Sequence, residues 1–211
     1  MEKIVVFASG LGSGLHNLIT ACSDGRLNAE IVGLITNRQC GAEKIANDYE
    51  IDFIRLNKDQ RSAEDHQRAV SALGGDWCAL SGCLWKVAGL DPRRTFNIHP
   101  GPLPKYGGKG MHGDAVHQAV VAAGELYSAV TMHFVTDEYD QGPVFFEYKV
   151  PVIYSHWKWL KRAVNEAEHY FQPYVADLVV NGKITWDGED PNSLRAQRPY
   201  QFLPPLDTGW R

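Results

Sequence analysis

The chain has 211 residues, 44% hydrophobic and 22% charged, the make-up of one ordinary globular domain rather than two. At that length folding buries roughly 70% of the surface the unfolded chain exposes, which excludes disorder over most of it and removes any need for disulfide or metal staples. Lys plus Arg number 21 against 25 Asp plus Glu, and the resulting net charge of −4 is a poor footprint for a nucleic-acid binder.

Apolar, β-prone runs alternate with amphipathic stretches through the first half, the pattern of a parallel sheet with helices on its faces. Residues 3–8 read as a strand, followed by the glycine-rich turn Ser9-Gly10-Leu11-Gly12-Ser13-Gly14 and a helix over 15–23 that closes near Gly25. A strand over 30–36, a helix over 40–49, a short strand over 52–56 and a helix over 62–73 follow. Residues 77–81 are apolar on both faces, as a buried parallel strand is. Residues 95–99 form a short strand running into a Pro/Gly-rich segment over 100–110 that forbids helix or central strand. A helix over 111–123 precedes strands over 128–135 and 144–152, joined by an acidic turn over 136–143.

A long helix is expected over 155–180, where Trp157, Leu160, Val164, Ala167, Phe171, Tyr174 and Leu178 step by three and four to form one buried face. Pro173 is expected to kink it, Trp157 to be core and Trp159 to be surface. The tail, with Pro199, Pro204 and Pro205, reads as an irregular surface wrap. The expected fold is α/β: a doubly wound, mostly parallel sheet with helices on both faces and an antiparallel C-terminal part, forming one domain with a phosphate-binding half over 1–94 and a catalytic half over 95–211.

Cys22, Cys40, Cys78 and Cys83 form no close pair and read as reduced, mostly buried thiols. The N-terminus carries too short an apolar run for a signal peptide, and no stretch approaches a membrane span, so the expected location is cytoplasmic. No metal is expected: His99, His112, His117 and His133 fall on different elements, and His112 and His117, five apart, share no helix face.

Three features can carry chemistry. The glycine turn opens a helix, where outward-pointing amides suit a phosphate. It is not a dinucleotide fingerprint, because Leu15 holds the third glycine position, nor a P-loop. Asn97 and His99 stand two apart at the end of a strand and share one face, combining an amide donor for an oxyanion with a group that moves protons near neutral pH. Asp140 lies in the acidic turn, where a carboxylate beside His99 would raise its pKa and orient it.

The segments Asn97-Ile98-His99-Pro100 and Leu103-Pro104-Lys105-Tyr106, the stretch from His133 to Val144, and the opening turn together resemble the phosphoribosylglycinamide formyltransferase family over nearly the whole chain. The resemblance implies transfer of a formyl group from 10-formyltetrahydrofolate to the amine of glycinamide ribonucleotide, with no metal, by a monomer or homodimer binding only small molecules. It assigns Asn97 to polarising the formyl oxygen, His99 to proton donation and Asp140 to orienting His99. It also assigns Gly10, Leu11, Gly12, Ser13 and Gly14 to the phosphate, and Glu168 to the ribose hydroxyls. Leu84, Trp85, Lys86 and Val87, with Asn97 and Thr136, Asp137, Glu138, Tyr139 and Asp140, would bind the folate. The chain departs from the family where Gly14 replaces a usual asparagine, where Trp85-Lys86 replaces a frequent Arg-Ile, and where Gly101-Pro102 replaces Ser-Leu. Other readings stay open: another small amine such as a nucleotide-linked amino sugar, an aminoacyl-tRNA, a formyltetrahydrofolate hydrolase, or a nucleotide-binding module without catalysis. The short tail and the first strand beginning by residue 3 leave no room for the appended domains the tRNA and hydrolase readings expect.

Overall fold

In the computed structural model, residues 1–153 and 156–196 are described; the proline-rich tail and the expected start of the long helix lie outside them. The order is β1 (Glu2–Ala8), α1 (Ser13–Ser23), β2 (Ala29–Thr36), α2 (Gly41–Asp48), β3 (Phe53–Arg55), α3 (Ala63–Ala72), β4 (Trp77–Leu80), β5 (Thr95–His99), α4 (Asp114–Ala122), β6 (Tyr127–Phe134), β7 (Val144–Pro151), α5 (Trp157–Val180), β8 (Ile184–Thr185) and β9 (Arg195–Ala196). The last two form a small hairpin sheet that the sequence pattern did not indicate.

The main sheet has the order β3-β2-β1-β4-β5-β6-β7. The first five strands are parallel, and β6 and β7 return antiparallel. The chain moves outward from β1 to β3, then crosses back to β4 on the other side of β1. That reversal opens a crevice beyond the C-terminal ends of β1 and β4, the place where open α/β sheets bind ligands.

Alternation along β1 divides the core. Ile4, Val6 and Ala8 face a large layer that includes Leu15 and Leu18 of α1, Val116 and Val120 of α4 and Val164 and Val175 of α5. Val5 and Phe7 face a smaller layer with Ala69 of α3 and with Leu80, Trp85 and Val87. Helices on both faces match the expected architecture.

One expected element differs in its start. α4 begins at Asp114 rather than 111, because Gly108, Gly110 and Gly113 adopt left-handed φ of 93°, 89° and 57° and hold 108–113 in turns. α5 runs through Pro173. Proline has no N–H for the carbonyl four residues earlier, and that carbonyl, of His169, instead accepts a 2.7 Å bond from Asn17 Nδ2, tying α1 to α5. Trp159 is exposed as expected, whereas Trp157 is half-buried rather than core.

Phe134 anchors the antiparallel end: it is fully buried, edge-on to Phe145 at 4.9 Å and 5.6 Å from the Trp186 ring. Phe134→Ala should lower stability by about 3–5 kcal/mol, through lost burial and the cavity left behind. Urea denaturation measures this, and a loss below about 1 kcal/mol would contradict the packing described.

Candidate active site

The glycine turn is braced from behind. Gly12 has a φ of 83°, and a Cβ there would stand 2.6 Å from Ala42 Cα, so both backbone and space require glycine. Gly10 O accepts from Ala42 N–H at 3.1 Å, and Ser9 O accepts from Arg38 Nε at 2.9 Å. Ser9, fully buried, accepts the Leu84 N–H on its hydroxyl at 3.0 Å. The turn is thus fixed through its carbonyls against α2 and Arg38 and through the Ser9 hydroxyl against the loop after β4, while the amides at the start of α1 open on the crevice. That arrangement suits an anion.

The crevice holds a cavity of about 530 Å³. Gly10 to Gly14 line one side, Asn97, His99 and Asp140 another, and a stripe on α5 of Lys161, Asn165, Glu168 and Gln172 a third. The stripe steps by four, three and four, one face of a helix. Burial pushes the Glu168 carboxyl up to about 7, against a hydrogen bond from Asn165 that lowers it.

Asn97 and His99 share a face of β5, and register places Asn97 opposite His133 on β6. His133 Nδ1 lies 2.7 Å from its neighbour's carbonyl, Phe134 O, so that nitrogen carries the proton. Nε2 then accepts from Asn97 Nδ2 at 3.0 Å. The second Asn97 hydrogen faces Asp140 Oδ1 at a long 3.4 Å. His99, 3% exposed, lies 2.8 Å through Nε2 from Tyr106 O, which fixes Nε2 as the donor and leaves Nδ1 3.8 Å from Asp140 Oδ2. Asp140 also accepts the Gly108 N–H at 2.8 Å.

The electrostatics correct one expectation. Burial lowers the His99 pKa and outweighs Asp140, which raises it, so the net shift is downward. Burial pushes the Asp140 carboxyl up, but the adjacent His133 and His99 rings, which gain from facing a carboxylate when protonated, and the Gly108 amide outweigh it and hold it below the usual range. At neutral pH the pair is a neutral imidazole beside a carboxylate.

The formyl transferase family model matches residues 2–176. The chain belongs to the formyl transferase family. It is 35% identical over 199 residues to the Arabidopsis thaliana phosphoribosylglycinamide formyltransferase, named chloroplastic, covering 88% of this chain and 68% of the relative. With the Escherichia coli K12 phosphoribosylglycinamide formyltransferase it shares 30% over 196 residues, 86% of this chain and 89% of that one. The solved structure of Symbiobacterium toebii glycinamide ribonucleotide transformylase 1 superposes with a TM-score of 0.81 over 93% of this chain and 94% of that chain, at 24% identity, which speaks to the fold.

Within this formyl transferase the other predicted residues divide. Leu11, Leu84 and Tyr139 line the main cavity, Leu11 with 86% of its surface exposed. Val87, Thr136 and Asp137 line a second cavity of about 270 Å³, with Ala88, Gly89, Leu90, Pro92, Thr95, Val135 and Gly188. Lys86 and Glu138 line neither cavity. Trp85 is turned away from both: its buried ring stands 6.0 Å from Phe7, and its Nε1 donates to His66 Nε2 at 3.4 Å. The expectation that this indole contacts folate directly is therefore replaced by a core role, since a large apolar ring gains more from burial beneath the loop than from exposure at its rim.

Sequence reasoning missed His133, Ser81, Asn165 and Gln172. A polar stripe beside the apolar face of the long helix was the available signal for Asn165 and Gln172; the pairing of His133 with Asn97 needs strand register, which spacing does not give.

The His99 ring, followed by NMR through its Cε1 proton, should titrate below the usual value of about 6.5. Asp140→Asn should move it lower still, because the carboxylate that stabilises the imidazolium is gone while burial remains. An upward move would overturn the assignment.

Proposed function

We propose that Asn97, His99 and Asp140 catalyse transfer of the formyl group of 10-formyltetrahydrofolate to the amine of glycinamide ribonucleotide, within one formyltransferase unit acting in the cytoplasm. The observation that carries this reading is the convergence of the three side chains on one cavity that the glycine turn at the start of α1 also lines.

The main cavity suits the phosphorylated amine. The α1 amides receive the phosphate, and Glu168 with Asn165 stands along the cavity where ribose hydroxyls find acceptors. The second cavity suits a flat heterocycle: Val87, Leu90 and Val135 supply apolar walls, with Thr136 and Asp137 at a polar edge. The loop over 135–140 lines the second cavity through Val135, Thr136 and Asp137 and the main one through Tyr139 and Asp140, which suits a formyl carbon beside Asn97. Unpaired Cys22, Cys40, Cys78 and Cys83 fit a reducing compartment.

Attack of the amine on the formyl carbon turns the carbonyl oxygen into an oxyanion. Asn97 Nδ2 is the donor for it: its 3.4 Å bond to Asp140 is long enough for a stronger acceptor to replace. One proton must leave the attacking nitrogen and one must reach the departing folate nitrogen. His99 Nδ1 is the ring atom free to carry it, since Nε2 is committed to Tyr106 O, and Asp140 stabilises the imidazolium formed in passing. No enzyme nucleophile is needed, because the amine itself attacks.

Incubation of the full chain with both substrates should give formylglycinamide ribonucleotide and tetrahydrofolate, detected by the folate absorbance change and by mass. Failure to turn over this amine while folate analogues still bind would exclude it as acceptor. His99→Ala and Asp140→Ala should each lower kcat by roughly 10²–10⁴-fold. Rates close to the parent for both would refute the assigned roles.

A further inference from the structure

Gly14 is the residue at which the anion turn departs from the related pattern, and the reason lies in what surrounds it. It sits in the first turn of α1 without a left-handed φ, so its backbone does not call for glycine. Within a helix glycine costs about 1 kcal/mol relative to alanine. A Cβ at this position would collide with Ser81 Oγ and stand 3.6 Å from Gln172 Oε1. Glycine here makes room for Ser81.

Ser81 and Gln172 come from different elements. Ser81 follows β4, held by its N–H to Phe7 O at 3.0 Å, and Gln172 is on α5. They are 7% and 1% exposed, and both line the main cavity alongside Gly10 to Gly14. Gln172 Nε2 donates to Ser81 Oγ at 3.1 Å, and Oγ lies 3.3 Å from Gln172 Oε1. A buried glutamine is costly unless its amide is used. Here the amide is spent on the one hydroxyl that fills the Gly14 gap.

We infer that Ser81 and Gln172 form a polar corner of the anion cradle, supplying from β4 and α5 the side-chain donor that position 14 lacks, and so set affinity for the phosphate of the amine substrate. The pair works as a unit: Gln172 Nε2 saturates one Ser81 lone pair and orients the hydroxyl, whose proton then turns from the neutral Gln172 carbonyl to a charged phosphate oxygen, the stronger acceptor. The inference rests on the amine substrate being phosphorylated, as proposed above.

Ser81→Ala and Gln172→Met, the second keeping side-chain volume, test it in the full chain. Each should raise KM for the phosphorylated amine about ten-fold, the loss expected for one hydrogen bond to a charged group. The KM for the folate should stay within about two-fold, and the double variant should be little worse than either single one, as for two residues acting as a unit. Inorganic phosphate, titrated by calorimetry without turnover, should lose affinity in parallel. Gly14→Asn alone should bind phosphate poorly because of the collision, whereas the Gly14→Asn, Ser81→Ala double variant, with the hydroxyl gone and an amide in its place, should recover much of the affinity. Unchanged phosphate affinity in the two single variants, with melting temperatures retained, would overturn the inference, as would equal rises in both KM values. Because the phosphate titration needs no reaction, loss of turnover with this amine in the parent chain would refute the proposed acceptor and leave the corner testable.

Discussion

Asp140 ties together parts of the site that the chain brings from far apart. Its carboxylate accepts from Gly108 in the loop after β5, lies against Asn97 and near His99 on β5, and stands 3.4 Å from His133 Nε2 on β6. To reach that point the residue takes a φ of 54°, a left-handed conformation that costs a non-glycine residue on the order of 1 kcal/mol or more. The neighbours make the approach possible: a Cβ on Gly107 would come within 2.9 Å of Asp140 Cβ, and one on Gly142 would collide with Phe134 O. The strain is held by several bonds at once, so the loop after β5 and the loop between β6 and β7 are positioned together.

The sheet explains why that meeting point shares a cavity with the glycine turn. Reversal of strand order between β1 and β4 leaves the glycine turn and Ser81 on adjoining strand ends, and β5 beside β4 adds Asn97 and His99 to the same rim. β6 runs antiparallel from Thr131 opposite His99 to Phe134 opposite Phe96, so the loop after it leaves beside the start of β5 and turns back to bring Asp140 against Asn97 and His99. One topological switch creates the crevice, and the turn back of the loop after β6 supplies its carboxylate.

How much of this the sequence discloses depends on the range of the signal. Strand and helix periods placed every element of the main sheet and its helices to within a few residues, because burial faces repeat locally. Asn97 and His99 were legible for the same reason: two residues apart on a strand is a statement about one face. His133 was not, since its contact with Asn97 depends on pairing across strands and on an irregularity between Met132 and His133 in the β6–β7 register. Trp85 was legible as a departure but not in direction, because the same loop can turn an indole toward a cavity or a core, and contacts with Phe7 and His66 decide it. The late start of α4 shows the remaining limit: Met111 and His112 suit a helix, but the glycines beside them populate left-handed conformations, and the tertiary position of the loop selects those.

The lengths of the hydrogen bonds distinguish what is fixed from what exchanges. Each histidine has one short bond to a backbone carbonyl, 2.8 Å for His99 to Tyr106 O and 2.7 Å for His133 to Phe134 O, and these set the tautomers. The contacts that converge on Asp140 from Asn97, His99 and His133 are longer, from 3.4 to 3.8 Å. Backbone carbonyls cannot change protonation state, so they hold each ring in place, while the long contacts can shorten or change partner as charge develops. Burial contributes to the same end: by keeping the His99 imidazole neutral against the pull of Asp140, it leaves Nδ1 able to take up a proton, with the carboxylate already beside the charge that results.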